Sequence, residues 1–474
     1  MSEPFVPIVI PVYLIVLVKM ETVNWNSLPS LALHQVFTHL SPESRVAASS
    51  TCKHWRTALY HPKFWHSLVL DISSAGTSYA EIKSKVKHAN KNLVTLVRDI
   101  HLAFDSRSTQ CFELASSVIK ALMSNQLLRN VDIELNHCEL SRDEIFQYRW
   151  SIQNYFEFAI LNVVQKGNIE GFSFGYFMFY YWNALIHMLS KYSCDSLQRL
   201  ELAGLGPSIF NEESKTTCFN STFDSMSSLI NLKKLSLDLN SNTCKLLPAL
   251  CSMSQLEILV LHVHNELDID ISDDIWADIK KYCPKLELRL TIINCHIVAK
   301  HLHTKLLRPS MPLTHLKVLF CNVINIEVLH RLVDYSSTFQ SLIWVDEQSI
   351  NPAGLLEGHW HLEPSADDIE TNPLIILSWV CRKITELVVL GYFIEPFDVC
   401  GIARLRGTKL KRFELLEEDI CFQQPQSEMI YDEVVLDVSR WLGTNWKPLN
   451  KNNLFVSHSH YILQCISKDL TTKY

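Results

Sequence analysis

The chain has 474 residues, which corresponds to about three ordinary domains or to one long array of repeats. Its 43 basic and 50 acidic side chains give a net charge of −7, so no basic surplus indicates nucleic acid as a direct partner. With 12 glycines, 47% hydrophobic residues and 20% charged residues, the composition argues against glycine-rich phosphate loops and excludes disorder over most of the chain.

The N-terminal stretch from Pro4 to Val18 is a continuous run of apolar residues. It lacks the basic start and the small-residue cleavage site of a signal peptide. It is also shorter than the roughly twenty residues that span a bilayer, and Pro7 and Pro11 interrupt it. We expect residues 1–19 to be a dispensable leader, with a membrane anchor as the less favoured alternative.

Two amphipathic helices are predicted in the 38 residues from Leu28 to Trp65. Between them, Ser41-Pro42-Glu43 supplies an N-cap hydroxyl, a proline at the first helical position and an acid in the first turn. A chain of about 40 residues buries too little surface to fold unaided, so this module must also pack on the rest of the chain or on a partner. The two apolar stripes are Leu33, Val36, Phe37 and Leu40, and Ala48, Cys52, Trp55 and Leu59.

In their order along the chain, these residues resemble an F-box. The resemblance rests on Leu28-Pro29, the apolar helix to Leu40, Ser41-Pro42-Glu43, the series Ala48, Cys52 and Trp55-Arg56, and Trp65. It implies an F-box over residues 24–70 that binds the adaptor Skp1, which links it to cullin-1 and a ring protein in a ubiquitin ligase. The Skp1-facing set that it implies is Leu28, Pro29, Val36, Phe37, Leu40 and Trp55, whereas Leu33, Ala48 and Trp65 fit an inward or an outward position.

A second pattern recurs from Leu197 to Leu415: an apolar residue, two others, an apolar residue, one other and an apolar residue. The alternating pair at its end suits a short strand with one face in a core. Most phrases begin about 24–35 residues apart, close to the spacing of leucine-rich repeats. We therefore predict an α/β fold, an irregular leucine-rich-repeat-like solenoid, with a mixed α/β domain as the alternative. The phrases begin at Leu197, Leu232, Leu256, Leu286, Leu313, Phe339, Ile384 and Leu410.

These patterns divide the chain into further segments behind the F-box. Residues 71–190 are predicted to be a linker with degenerate first repeats, near 92–104 and 128–135, and an aromatic block at 171–182. Residues 191–425 are the predicted repeat domain, with helices at 272–282 and 372–381. Residues 426–474 are the predicted C-terminal cap. Its helix is expected to turn Ile430, Val434, Val438, Trp441 and Leu442 inward and to end at Gly443.

An acidic segment interrupts the repeats between Asp346 and Pro373. It holds seven acidic residues, no lysine or arginine, and the turn sequence Pro352-Ala353-Gly354. We expect a solvated loop here, with a contact for a basic partner as the alternative.

The sequence carries no recognisable catalytic or cofactor motif. It lacks a nucleophile elbow, an H-E-x-x-H run and a kinase signature set. The 14 cysteines are dispersed without the C-x-x-C spacing of zinc modules, so we predict no metal site and no cofactor. Dispersed cysteines in a long chain are typical of a reducing compartment, which favours the cytoplasm or the nucleus.

The function that the resemblance implies is target recognition for a ubiquitin ligase, and the lack of a catalytic motif leads us to expect no catalysis by this chain. The resemblance implies that the F-box binds Skp1 and that the repeat domain holds a protein target, and the charge balance leads us to expect no direct nucleic-acid contact. Docking a target beside the conjugating enzyme raises the effective concentration of its lysines. The alternative is a repeat-based scaffold whose helical module caps the array and never meets Skp1.

Overall fold

The computed structural model describes residues 28–73, 78–105, 108–135, 146–175, 181–204, 217–240, 243–264, 271–323, 325–347, 372–422, 430–450, 458–466 and 469. The chain divides into two compact units, Met1–His66 and Ser67–Tyr474. The predicted leader and most of the acidic segment from 346 to 373 lie outside the described residues.

Three short helices build the first unit: α1 (Ser30–Thr38), α2 (Pro42–Ser49) and α3 (Lys53–Leu59). The Ser41 Oγ accepts a hydrogen bond from the Ser44 amide at 3.2 Å, which confirms the predicted N-cap. The predicted second helix is wrong as a single element, because the chain turns after Ser49. Cys52 therefore lies on no helix face and is instead the N-cap of α3, where its Sγ accepts from the Trp55 amide at 3.4 Å.

The core of the first unit is small and largely aromatic at its edge. Leu33, Phe37, Ala58 and Leu59 are buried, with Ala48, Trp55, Phe64 and Trp65 packed partly buried around them. The Phe37 and Trp55 rings meet edge to face, with centroids 5.9 Å apart. The Trp65 indole donates to the Leu59 carbonyl at 2.6 Å, which ties the end of the unit to α3. Leu33, Ala48 and Trp65 thus take the inward alternative.

In the second unit, twelve parallel strands form one sheet in which each strand pairs with the next one along the chain. Parallel neighbours need crossover connections, and helices or 3₁₀ turns supply most of them. The strands are β1 (Ser67–Ile72), β2 (Asp99–Phe104), β3 (Asn130–Leu135), β4 (Gly171–Phe174), β5 (Arg199–Glu201), β6 (Lys234–Asp238), β7 (Ile258–Val263), β8 (Glu287–Ile293), β9 (Leu313–Leu319), β10 (Ser341–Val345), β11 (Glu386–Leu390) and β12 (Arg412–Glu414).

The described helices of this unit follow the same order. They are α4 (Tyr79–Asn92), α5 (Thr109–Leu122), α6 (Phe146–Val164), α7 (Trp182–Ser193), α8 (Thr217–Ser227), α9 (Asp273–Tyr282), α10 (His296–Lys300), α11 (Leu302–Lys305), α12 (Ile326–Leu332), α13 (Pro373–Val380), α14 (Pro396–Arg406), α15 (Tyr431–Leu442) and α16 (His458–Ile466). The helices predicted at 272–282 and 372–381 are confirmed as α9 and α13. Within the described ranges, no helix combines the length and the hydropathy that a bilayer span requires.

Each predicted phrase coincides with a strand, and its apolar residues are buried. On four successive strands Leu316, Leu342, Leu387 and Phe413 stand in register and are at most 5% exposed. Helices pack on this face of the sheet: the Phe104 ring on β2 lies 5.4 Å from that of Phe112 on α5, centroid to centroid. The phrase therefore marks the helix face of a solenoid-like α/β sheet.

The predicted linker at 71–190 is wrong, because the sheet already begins at Ser67. The degenerate repeats expected near 92–104 and 128–135 are confirmed as β2 and β3. The aromatic block contributes β4, whose Phe172 and Phe174 are fully buried. The array thus contains four more strands than its leucines indicate.

The first half of the segment predicted as a C-terminal cap contains the expected helix, α15. Val434, Val438 and Leu442 of α15 are buried, and Gly443 ends the helix with a left-handed φ of 68°. Ile430 and Trp441 are exposed instead of inward. Ile430 is the N-cap residue, whose extended backbone places it before the first turn of α15, and Trp441 lies one position off the buried stripe. The second half forms α16, which does not cap the array.

Candidate functional site

The face of the sheet opposite the helix face carries a row of residues in register across eleven strands. We call it the polar row, since every member except Val260 is polar, and we call this face the polar face. The row consists of His101, Asp132, Ser173, Glu201, Ser236, Val260, Arg289, His315, Ser341, Glu386 and Arg412. Side chains two apart on a strand share a face, so the polar face follows from the same alternation as the core.

Ion pairs organise the end of the polar face nearest β2. Arg199 pairs with Asp132 and, at 2.8 Å, with Glu201. Burial disfavours the charged guanidinium, but the two carboxylates outweigh it and raise the pKa of Arg199. His101 Nε2 lies 3.2 Å from Glu134 Oε2, and this hydrogen bond raises the pKa of His101 against the effect of burial. The carboxylates at this end are therefore paired with basic side chains rather than forming an open acidic patch.

The C-terminal helix α16 covers the other end of the polar face. Tyr461, Ile462 and Ile466 are buried against apolar side chains that the later strands turn toward this face. Leu463 and Cys465 pack partly buried beside them. The strand residues under the helix are Ile293, Leu319, Ile343, Val345, Val388 and Leu390.

We call α16 together with Asp469 the tail. A buried ion cluster holds the end of the tail on the sheet. Lys317 of β9 pairs with the Asp469 carboxylate and also donates to the Cys465 carbonyl. Arg289 of β8 donates to the Asp469 carbonyl, and His262 Nε2 lies 3.4 Å from Asp469 Oδ2. Burial would raise the pKa of Asp469, but Lys317 and His262 outweigh it and hold that pKa below its usual value. The carboxylate is therefore charged at neutral pH.

Between the two ends, sheet and tail enclose a cavity of about 170 Å³. The strands line it with polar groups such as His101, Arg199 and Glu201, and the tail contributes Leu463 and Ile466. Within the part of the chain that the structure describes, no three His, Cys, Asp or Glu side chains are grouped to hold a metal ion. The cavity is thus a mixed polar and apolar recess.

The six residues expected to face Skp1 differ in how exposed their side chains are. Pro29 and Val36 are exposed, and Leu28, Leu40 and Trp55 are partly buried. The expectation for Phe37 is corrected: its side chain is fully buried in the core of the first unit, so it has no surface to offer. Two large apolar side chains outside the predicted set are exposed: Leu31, at 83%, and Val46. The sequence signal that could have identified these two residues is a large apolar side chain outside the predicted stripe.

The expectation of a solvated acidic segment is corrected at its first residue. Asp346 is buried rather than solvated, and it accepts hydrogen bonds from the Tyr392 hydroxyl and the Asn322 amide. Burial raises the pKa of Asp346 to about 6. This residue belongs to the end of β10 and to the core.

Comparison with known proteins connects the first unit to a family. The family described as F-box-like matches residues 25–71. The first unit is an F-box-like domain. Beyond it, the chain is 23% identical to F-box only protein 33 of Mus musculus and 24% identical to that of Homo sapiens, in each case over 89% of this chain and 82% of the relative.

Two further likenesses are more limited. F-box/LRR-repeat protein 21 of Mus musculus is 24% identical over 21% of this chain and 24% of its own length. In the crystal structure of the Rad7 and Elc1 complex in yeast, one chain aligns with 12% identity and a TM-score of 0.36, over 85% of this chain and 96% of that one.

The chain thus carries an F-box-like domain at residues 25–71 and resembles F-box only protein 33 over most of its length. An F-box domain indicates, in general, substrate recognition for a ubiquitin ligase and a Skp1-type partner. Such proteins are generally adaptor subunits.

Proposed function

We propose that this protein is a non-catalytic, substrate-recognition subunit of an Skp1–cullin-1–F-box ubiquitin ligase. The F-box-like domain binds Skp1, which brings cullin-1 and a ring protein, and the polar face of the repeat domain holds a protein target. Transfer chemistry belongs to the other subunits. The dispersed free thiols, several of them buried, support a location in the cytoplasm or the nucleus.

The observation that carries the Skp1 proposal is the apolar surface of the first unit. Its core uses Leu33 and Phe37, yet Leu31 and Val46 are left exposed. A small domain buries a smaller fraction of its surface than a large one, so apolar side chains are more readily left at its surface. Exposed apolar side chains on a small domain that matches the F-box family are suited to bury themselves on an adaptor.

The test replaces Leu31 with serine in the full chain and measures capture of purified Skp1. An apolar anchor near the centre of an interface contributes about 2 kcal/mol or more, so we expect affinity to fall about 30-fold. Leu436→Ser is the matched control, because Leu436 is also a helical leucine and is 69% exposed, but on α15. This control is expected to leave Skp1 capture unchanged.

The same samples separate the proposal from the scaffold alternative. For a well-folded Leu31→Ser protein, loss of Skp1 together with cullin-1 and the ring protein supports the ligase assignment. Unchanged capture of Skp1 by that variant, or no capture by the unmodified chain, would contradict it. A helical cap predicts a different result: a lower melting temperature of the repeat domain with no Skp1 complex in either protein.

A further inference from the structure

The tail helix is attached to the polar face by side chains rather than by the sheet's own ladder. Strands β7 to β11 complete their backbone pairing with one another. The tail adds two carbonyl contacts, from Cys465 and Asp469, to the side chains of Lys317 and Arg289. The backbone pairing of these strands is therefore complete without α16, and the helix lies on a surface that the strands form by themselves.

The sequence of α16 has the form of a short recognition helix. It is nine residues long, and isolated helices below about 12 residues are marginal in water, so docking stabilises its helical form. Tyr461, Ile462 and Ile466 make one buried stripe, and the Asp469 carboxylate follows three residues later. Helix-in-groove recognition uses apolar anchors at this spacing.

The polar face selects for an acid at the end of that helix. Lys317 pairs with the Asp469 carboxylate, and Arg289 on the neighbouring strand donates to the backbone carbonyl of the same residue. His315 beside them is held neutral, because burial together with Arg289 and Lys317 lowers its pKa to about 3. The Lys317 ammonium, the Arg289 guanidinium and His262 Nε2, the last 3.4 Å from Asp469 Oδ2, thus form a recess whose donors suit a carboxylate.

We propose that α16 and Asp469 occupy the target-binding surface in the free protein, and that the target is an amphipathic helical segment with the same order of groups. That order is two adjacent apolar residues, a third four residues later and a carboxylate three beyond it, as in Tyr461-Ile462, Ile466 and Asp469. This inference rests on the proposed function, since it names the class of target. The adjoining cavity extends the surface toward His101 and Arg199.

The test uses a fluorescent peptide with the sequence of residues 456–474, titrated into full-length proteins and followed by fluorescence polarisation. Ile462→Asp places a charge in the buried stripe and is expected to release the chain's own tail. A tethered segment acts at roughly millimolar effective concentration. If the peptide binds the open face with a Kd of about 10 µM, competition from the tethered tail of the unmodified protein weakens peptide binding to that protein about 100-fold.

Two controls address the chemistry of the recess. A peptide with Asp469→Lys is expected to lose binding to the Ile462→Asp protein, and so is the unmodified peptide when that protein also carries Lys317→Met. Equal affinity of the peptide for unmodified and Ile462→Asp proteins would overturn the proposal. So would a lysine peptide that binds as well as the acidic one.

A measurement on the unmodified protein covers the case in which Ile462→Asp fails to fold. If the tail opens by itself, hydrogen exchange at the amides of α16 is expected to be at least tenfold faster than at β8 to β10. Exchange of helix and strands at one common rate would show that α16 belongs to the cooperative core, which overturns the proposal. Skp1 capture by the same protein reports separately on the F-box, so the two failures are distinguishable.

Discussion

The docking of the tail on the sheet can be tested most directly at the ion pair between Lys317 and Asp469. Both side chains are 8% exposed, and Asp469→Asn removes the charge while nearly keeping the shape. Losing one partner of a buried pair typically costs about 3–5 kcal/mol, because the other charge stays buried without its counter-ion. At about 1.4 kcal/mol per factor of ten, we expect the docked population of α16 to fall at least 100-fold relative to the undocked one.

The assay is hydrogen exchange at the amides of α16, with thermal unfolding of the same samples. Asp437→Asn is the matched control, because its pair with the exposed Arg404 lies at 2.9 Å on α14 and α15. An exposed pair contributes only about 0–1 kcal/mol, so this control should leave α16 protected. The reasoning is refuted if Asp469→Asn leaves the protection of α16 unchanged, or if Asp437→Asn exposes it as strongly.

Three further predictions concern the repeat domain. Gly391→Ala should destabilise it by about 2–5 kcal/mol in urea unfolding, since φ is +90° and the added methyl would collide with the Asp346 carbonyl. Burial lowers the pKa of His264, but Asp238 at 3.1 Å outweighs it and raises that pKa. The pair's contribution to the free energy of unfolding is therefore complete below pH 6.5 and declines as the pH rises through the higher pKa of the folded state. His264→Gln should thus flatten the dependence of stability on pH above pH 6.5. Trp276→Ala should lower the free energy of unfolding by about 3–5 kcal/mol, because that side chain is fully buried on α9; a change below about 1 kcal/mol would contradict this packing.

Local patterns were sufficient for the later strands, for several helices and for the F-box resemblance. The Ser41 N-cap and the Gly443 C-cap depend on hydrogen bonds and backbone angles within one helical turn, so they are readable from neighbouring residues. The repeat phrase was readable because alternation along one strand sorts its side chains onto two faces. The same alternation on β2 to β4 is less visible, since valine, isoleucine and phenylalanine replace leucine there.

Contacts between distant residues were decided by the tertiary structure. Phe37 and Val36 lie side by side in one apolar stripe, but only packing against α3 buries the first and exposes the second. Lys317 and Asp469 are 152 residues apart, and no local pattern relates them. The strand register places Lys317 on the polar face, and apolar burial brings α16 over it. Sequence periodicity thus determines which face a residue takes within its own element, whereas the assembled sheet determines what lies opposite that face.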